Sequence, residues 1–185
     1  MGSSHRSSFV SAREEILSAI RAAAVPSASV PSAPATDALL APSSHILMEQ
    51  FLRALTQVGG RGLVLERSQS LDDAIAQVRT DLGTASGSLL VLHGLFAVAE
   101  NGAVYVDEAD LNARTDVVLP EHLVIVVPAG AVVANLHEAM PLIPRHSACG
   151  WFLSGPSKTA DIEQALVVGA QGSRTVHVIL ESLPT

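Results

Sequence analysis

Apolar residues recur along this chain at two spacings, three to four residues apart in some stretches and in unbroken runs in others, and the alternation predicts helices and buried strands in turn. From Ser11 to Ala24, Ile16, Leu17 and Ile20 fall at helical spacing with Arg13, Glu14, Glu15 and Arg21 between them, which predicts a short amphipathic helix. From Ser44 onward Ile46, Leu47, Phe51, Leu52 and Leu55 repeat the pattern until Gly59 and Gly60 stop it. A strand at Leu63 to Leu65 follows, then a helix from Leu71 to Leu82, with Ser70 as N-cap and Asp72 and Asp73 in its first turn. Ser88 to Leu92 and Leu123 to Val127 read as strands buried on both faces. Ala97 to Glu100 and Val104 to Asp107 flank Asn101-Gly102, the turn signal of a hairpin. A helix from Ala131 to Met140, a strand at Trp151 to Ser154, a helix over Thr159 to Val168, a stop at Gly169 to Gly172 and a strand at Val176 to Leu180 complete the pattern. The last strand, helix and strand predict a βαβ unit with a right-handed crossover.

The predicted class is therefore α/β, a mainly parallel sheet flanked by helices, with an antiparallel hairpin inserted. Residues 25–43 interrupt the pattern: Pro26, Pro31, Pro34 and Pro42 stand among Ala and Ser, a composition that cannot build a core and reads as a linker. The expected organisation is an amphipathic helix in 1–24, a linker in 25–43 and one α/β domain in 44–185. Aromatic residues make up only 3% of the chain against 48% hydrophobic residues, so the core must be built from Leu, Val, Ile and Ala.

A net charge of −7 with no basic cluster excludes a nucleic-acid surface, which needs grouped Lys and Arg. No apolar run approaches the roughly 20 residues of a membrane-spanning helix, and no apolar signal-peptide core is visible at the N-terminus. The expectation is a soluble cytoplasmic protein.

The most informative stretch is GPSKTADIE, from Gly155 to Glu163, which the pattern places between a buried strand and a helix. A helix start presents unpaired N–H groups and a partial positive charge. There Gly155 permits a sharp turn, Pro156 stiffens it, Ser157 and Thr159 cap the helix or donate to an anion, and Lys158, the only lysine of the chain, adds a mobile charge. The same residues equally serve as ordinary caps, with Asp161 a favourable charge at the positive helix end. A Walker loop is excluded, because Ser157 and Phe152 stand where its glycines belong. Glu100, beside Asn101-Gly102, is a second cleft candidate, against a solvated hairpin charge. His93, at a strand end before Gly94, is a third, because open α/β sheets bind ligands at strand ends. His177 falls within a predicted strand and reads as a satisfied core or cleft residue. The histidines show no short metal-ligand spacing, no metal site is predicted, and G-x-S-x-G is absent. Cys149 reads as a small buried side chain, and a lone cysteine rules out a four-cysteine cluster within the chain.

FAVAENGAV, from Phe96 to Val104, followed by FLSGPSKTADIEQALVVGAQGSRTVHVIL, resembles the LUD domain of the lactate utilization protein C family, the similarity running from about Ser44 to Leu183. The resemblance implies a fold similar to the ribose-5-phosphate isomerase and CoA transferase-like superfamily, whose members bind anionic substrates at strand–loop–helix junctions. It also implies a part in oxidising L-lactate to pyruvate, so that lactate serves as carbon source, together with iron–sulfur partner proteins. The clusters are then expected in the partners and no cofactor in this chain. On this expectation Glu100 and Gly155 to Thr159 hold a carboxylate or dock a partner. The alternatives are a stand-alone isomerase, transferase or cyclo-ligase type enzyme acting on an anionic substrate, and a non-catalytic interaction or regulatory domain.

Overall fold

The computed structural model describes residues 11–23, 43–66, 68–83, 87–160 and 166–182. It divides the chain into two units, Met1–Leu39 and Leu40–Thr185. In the first, helix α1 (Ala12–Ala22) opens on a capping box: Ser11 Oγ accepts from Glu14 N at 3.3 Å, and Ser11 N donates to Glu14 Oε2 at 3.1 Å. Arg21 stands in its last turn, at the negative end of the helix. The expected linker, apart from Ser43, lies outside the described residues.

The second unit is built on a parallel sheet. Strands β1 (Arg61–Leu65), β2 (Leu89–His93), β5 (His122–Pro128) and β10 (Thr175–Glu181) lie in the order β1-β10-β5-β2. Each neighbouring pair is parallel, with Arg61 opposite His177, Thr175 opposite His122 and Leu89 opposite His122. Because side chains alternate between faces, one face carries Leu92, Leu123, Ile125, Val127, Val176, Val178 and Leu180, and the other Leu65, Val124, Val126 and Ile179. The first face packs on Phe51 and Leu55 of helix α2 (Ser44–Gln57), both fully buried. The second packs on Ala74 and Val78 of helix α3 (Leu71–Asp81).

A second sheet lies against α2 and the first face. It comprises β3 (Phe96–Val98), β4 (Ala103–Asp107), β6 (Val132–Val133) and β7 (Gly150–Leu153) in the order β6-β3-β4-β7. Its Ala97, Val104 and Val106 join the main core, while its outer face stacks Phe96 on Tyr105 at 5.0 Å, with Ala139 of the short helix α4 (Leu136–Ala139) alongside. The predicted hairpin forms: β3 and β4 pair antiparallel around Asn101-Gly102, and Asn101 Oδ1 accepts from Ala103 N at 3.0 Å. Among the described residues no helix is long and apolar enough to cross a membrane.

Two expected helices are corrected. The one over Thr159 to Val168 is absent at both ends: β8 (Lys158–Ala160) pairs antiparallel with β9 (Leu166–Val168), so β7 and β10 are not the strands of one βαβ unit but belong to different sheets. A local helical pattern yields here to non-local pairing, helped by the β-branched Val167 and Val168 and closed by Gly169 N donating to Ser157 O at 2.9 Å. The helix expected over Ala131 to Met140 shrinks to α4. Val132 and Val133 are taken into the sheet beside β3, and Asn135 starts a new helix by accepting from Glu138 N at 3.1 Å.

Gly102 adopts φ +67°, and a Cβ there would stand 2.5 Å from Leu55 N. The hairpin turn thus lies directly on the α2 backbone, an approach only glycine permits. Gly83 adopts a similar φ of +69° with nothing within 4 Å of a Cβ. Gly83→Ala is expected to cost about 1–2 kcal/mol for the left-handed backbone alone. Gly102→Ala must lose distinctly more, because the turn has to lift off the helix. Urea unfolding of the two variants checks this, and equal losses would show that the contact does not matter.

Candidate functional site

The sequence motifs converge where the turn after β7 meets the end of α2. Gly155 has φ +71°, and a Cβ on it would lie 2.6 Å from Val58 O, so the turn rests on the last carbonyls of the helix. A Cβ on Gly59 would lie 2.9 Å from Lys158 Nζ and 3.6 Å from Pro156 Cγ. Val58 is the C-cap of α2, so the lysine ammonium stands at the negative end of the helix dipole, a placement worth about 0.3–1 kcal/mol. The expected position of Lys158 at a helix start is thereby reversed: it stands by a helix C-terminus, and the motif joins strand to strand. Ser154 Oγ donates to Asn101 O at 2.8 Å, which ties this turn to the hairpin.

The other side of the turn faces the segment before β10. Ser157 N donates to Ser173 O at 2.9 Å, Ser173 Oγ donates to Pro120 O at 2.8 Å, and Arg174 N donates to Glu121 O at 2.8 Å. Between them lies a cleft of about 330 Å³ lined by Val118, Phe152, Pro156, Lys158 and Gln171. A hollow of about 520 Å³ shares Val118, Gln171 and Gly172 with it and is bounded by Leu119 and the Arg174–Glu121 ion pair. Both hollows lie by the first residues of β5 and β10, whereas ligands of open α/β sheets favour the other strand ends.

The remaining predicted residues scatter. Glu100 is exposed; its N donates to Ala134 O at 3.0 Å and its Oε2 accepts from Leu136 N at 3.4 Å, so the carboxylate closes the start of α4. His93 is the last residue of β2, opposite Val126 late in β5, whereas Gly155, Pro156, Ser157 and Lys158 line the cleft by the first residues of β5 and β10, so the two stand at opposite ends of the parallel strands. Thr159 is described only as backbone of β8, and Asp161 lies outside the described residues. Cys149 is half-buried rather than buried, its carbonyl accepting from Ser147 Oγ at 2.9 Å. Among the described residues no group of three or more His, Cys, Asp and Glu could hold a metal.

Two polar clusters come together only in the structure, though His177 of the second was singled out from the sequence. Asp107 is buried, accepting from Ala109 N at 2.9 Å and from Tyr105 Oη at 3.4 Å. The Ser147 hydroxyl first, and the Ala109 N–H next, hold its carboxyl below the ordinary carboxylate range against the cost of burial. Burial, reinforced by the Asp107 charge, pushes the Tyr105 phenol up. The alternation Tyr105-Val106-Asp107, which puts both side chains on one face of a strand, is the signal that points to this pair. The second cluster is His122 and His177, on the α3 face of the sheet. His122 Nδ1 bonds Thr175 Oγ1 at 2.8 Å, while His122 Nε2 and His177 Nδ1 are buried without partners. His177, expected as a satisfied core or cleft residue, is a buried residue on a cavity wall with its Nδ1 unpartnered.

Burial first, then the Arg61 charge, lowers the His177 pKa from its usual 6.5. The folded state thus binds its proton less tightly than the unfolded chain, and this contribution to stability is complete above pH 6.5 and lost as pH falls below it through the folded value. Denaturant midpoints measured downward from neutrality are expected to fall, and His177→Leu to flatten that fall; an unchanged slope refutes the assignment. Lys158→Glu is expected to destabilise more than Lys158→Ala, by about 0.5–1 kcal/mol, with the gap closing in molar salt.

Comparison with known proteins fits this architecture. The LUD domain family profile matches residues 11–180. Lactate utilization protein C 1 of Bacillus mycoides is 39% identical over 92 residues, 45% of this chain and 39% of that protein. Lactate utilization protein C of Shouchella clausii is 35% identical over 81 residues, 40% of this chain and 35% of that protein. The aligned part thus spans well under half the length of these curated relatives. The crystal structure of a DUF162 family protein from Deinococcus radiodurans superposes with a TM-score of 0.57 at 16% identity, covering 76% of this chain and 99% of that one, and shows the same α/β fold. With the profile running from α1 to the closing strand of the parallel sheet, the chain belongs to the LUD domain family.

Proposed function

We propose that this chain acts in lactate utilization as a cytoplasmic component of a system oxidising L-lactate to pyruvate, in which iron–sulfur partner proteins take up the two electrons released. The observation that carries the reading is that relatives at 39% and 35% identity bear the name lactate utilization protein C. The single cysteine supports the division of labour, since a cluster is held by four thiolates; on this reading the clusters belong to partners and the chain carries no cofactor.

The hollows beside Gly155–Lys158 serve as the docking surface in this scheme. Leu119 stands 73% exposed at their rim and Val118 46% exposed, apolar side chains whose burial by a partner would remove their contact with water. Lys158 is already placed against α2, so it contributes to the shape of this surface rather than to the capture of a free anion.

Purification of the tagged chain from its native cell under anaerobic conditions is expected to recover iron–sulfur proteins, and loss of the chain to impair growth on L-lactate. Leu119→Asp should cut that recovery at least tenfold while leaving thermal unfolding unchanged, because the residue is exposed. Oxidation of lactate by the purified chain alone with an added electron acceptor would overturn the proposal.

A further inference from the structure

Strand β1 is the outermost strand of the parallel sheet, and among the described strands only β10 pairs with it. Its outer backbone edge is therefore a template for a further strand. The sequence Arg61-Gly62-Leu63-Val64-Leu65 carries none of the devices that close such an edge: it has no proline, no charge at its centre, and no bulge in its continuous pairing with β10. It is also the less covered of the two edges. Leu63 is 40% and Val64 37% exposed, whereas Leu89 to Leu92 at the β2 edge are half-buried or buried.

The two faces of β1 differ. A Cβ on Gly62 would run into Leu52 of α2, and Leu65 belongs to the cluster under α3. By alternation Gly62 and Val64 face α2, while Arg61, Leu63 and Leu65 face α3. Two hollows follow the strand on the α3 side. One of about 250 Å³ sets Arg61 and Leu63 against Gln77 and Asp81, and one of about 400 Å³ sets Leu63 and Leu65 against Asp73 and Gln77. Later residues of the helix thus accompany earlier residues of the strand. Helix α3 runs antiparallel to β1, with Asp73 at the Leu65 end and Arg61 at the other. Both apolar layers of the sheet are left unfinished here, by Val64 on the α2 side and by Leu63 on the α3 side.

We propose that β1 pairs with β1 of a second copy of this chain, antiparallel about a two-fold axis at Leu63, so that the two parallel sheets become one continuous sheet. The register matches each residue reciprocally. Leu63 meets Leu63 of the second copy on the α3 face. Gly62 stands opposite Val64 of the second copy on the α2 face, where Leu52 closes over the glycine and gives the valine an apolar neighbour. Arg61 stands opposite Leu65 of the second copy, at the end of the groove that Asp73 borders. Symmetry repeats that contact, so two Arg61–Asp73 pairs flank the axis. Any extended segment could complete the hydrogen bonds of the edge, but a basic residue at one end, an apolar centre and an acidic residue at the other end make this edge complementary to itself when reversed. Five residues of strand per copy with their flanking helices place the contact near the low end of stable interfaces, about 1,200 Å². The dimer should therefore dissociate on dilution.

Sedimentation velocity on the full chain over a concentration series is expected to show a monomer passing to a dimer. Leu63→Lys sets two ammonium groups together at the axis and should weaken that association at least about tenfold, with thermal unfolding unchanged because the position is exposed. Arg61→Asp and Asp73→Arg should each weaken it about fivefold. The double variant should recover it, which a mere loss of monomer stability would not do. Leu63→Cys in a Cys149→Ser background should give a disulfide-linked dimer on mild oxidation, since residues at the axis face each other at about 5 Å. Val64→Cys should not, because its Cα atoms are offset along the strands beyond the roughly 7 Å that a disulfide spans. A monomer at every concentration, a dimer indifferent to Leu63→Lys, or equal cross-linking at both positions would overturn the proposal. So would Leu63→Lys lowering the recovery of other proteins with sedimentation unchanged, which would give the edge to a different chain.

Discussion

The end of helix α2 is the point on which the domain depends. Phe51 and Leu55 fill the space between the parallel sheet and the second sheet, and the backbone around them is met by two glycine turns. Gly102 comes within contact of Leu55 N, and Gly155 within contact of Val58 O. A bond from Ser154 Oγ to Asn101 O joins the two turns across that helix end. These approaches are closer than any side chain allows, so a larger residue at either glycine must displace a turn, and with it the strands β4 or β7 that the turn begins or follows. FAVAENGAV and the first four residues of GPSKTADIE, Gly155 to Lys158, are thus the two sides of one clasp.

That arrangement alters what a recognisable motif means. Gly155, Pro156 and Lys158 are explained by what they touch: a carbonyl at a helix end, the Gly59 backbone and the negative pole of α2. A lysine at a helix C-terminus contributes a few tenths to one kcal/mol, enough to favour its placement but small beside the burial of Phe51 and Leu55. The strength of the motif as a family marker and its weakness as a ligand seat have the same origin, since tight backbone contacts restrict the sequence while leaving little free chemistry.

The sequence made the parallel sheet readable because its strands are buried on both faces and therefore appear as apolar runs: Leu123 to Val127 and Val176 to Leu180 need no partner to be recognised. The hairpin was readable from Asn101-Gly102 for a similarly local reason. What was not readable depended on pairing at a distance. Thr159 to Val168 carries helical periodicity, and only its opposition to itself through β8 and β9 makes strand the better state for the ends. Val132 and Val133 leave the predicted helix because β3 offers an open edge. The candidate site suffered from the same limit. His93 and Gly155 both lie at strand ends, yet His93 ends β2 of the parallel sheet and Gly155 follows β7 of the second sheet, a separation set by strand pairing rather than by residue type. Asp107 was hidden by its setting at the end of an apolar strand, and the neighbours of His177 followed from strand pairing rather than from its own surroundings in the sequence.

The two faces of the parallel sheet are unequal, and the inequality locates its free chemistry. The sheet face toward α2 presents Leu92, Leu123, Ile125, Val127, Val176, Val178 and Leu180, all apolar. The face toward α3 is covered by a single helix among the described elements, contributes a much smaller cluster, and carries both buried histidines with unpartnered nitrogens. A domain that stabilises itself through one face can tolerate incompletely paired groups on the other, because the cost of a few kcal/mol is carried by the larger cluster. Arg61 and Asp81 line a cavity on that thinner face with His177, and no ion pair within 4.0 Å joins them among the described contacts. The polar groups of the sheet thus gather on the face that carries less of the core, away from the clasp at the end of α2 that holds the fold together.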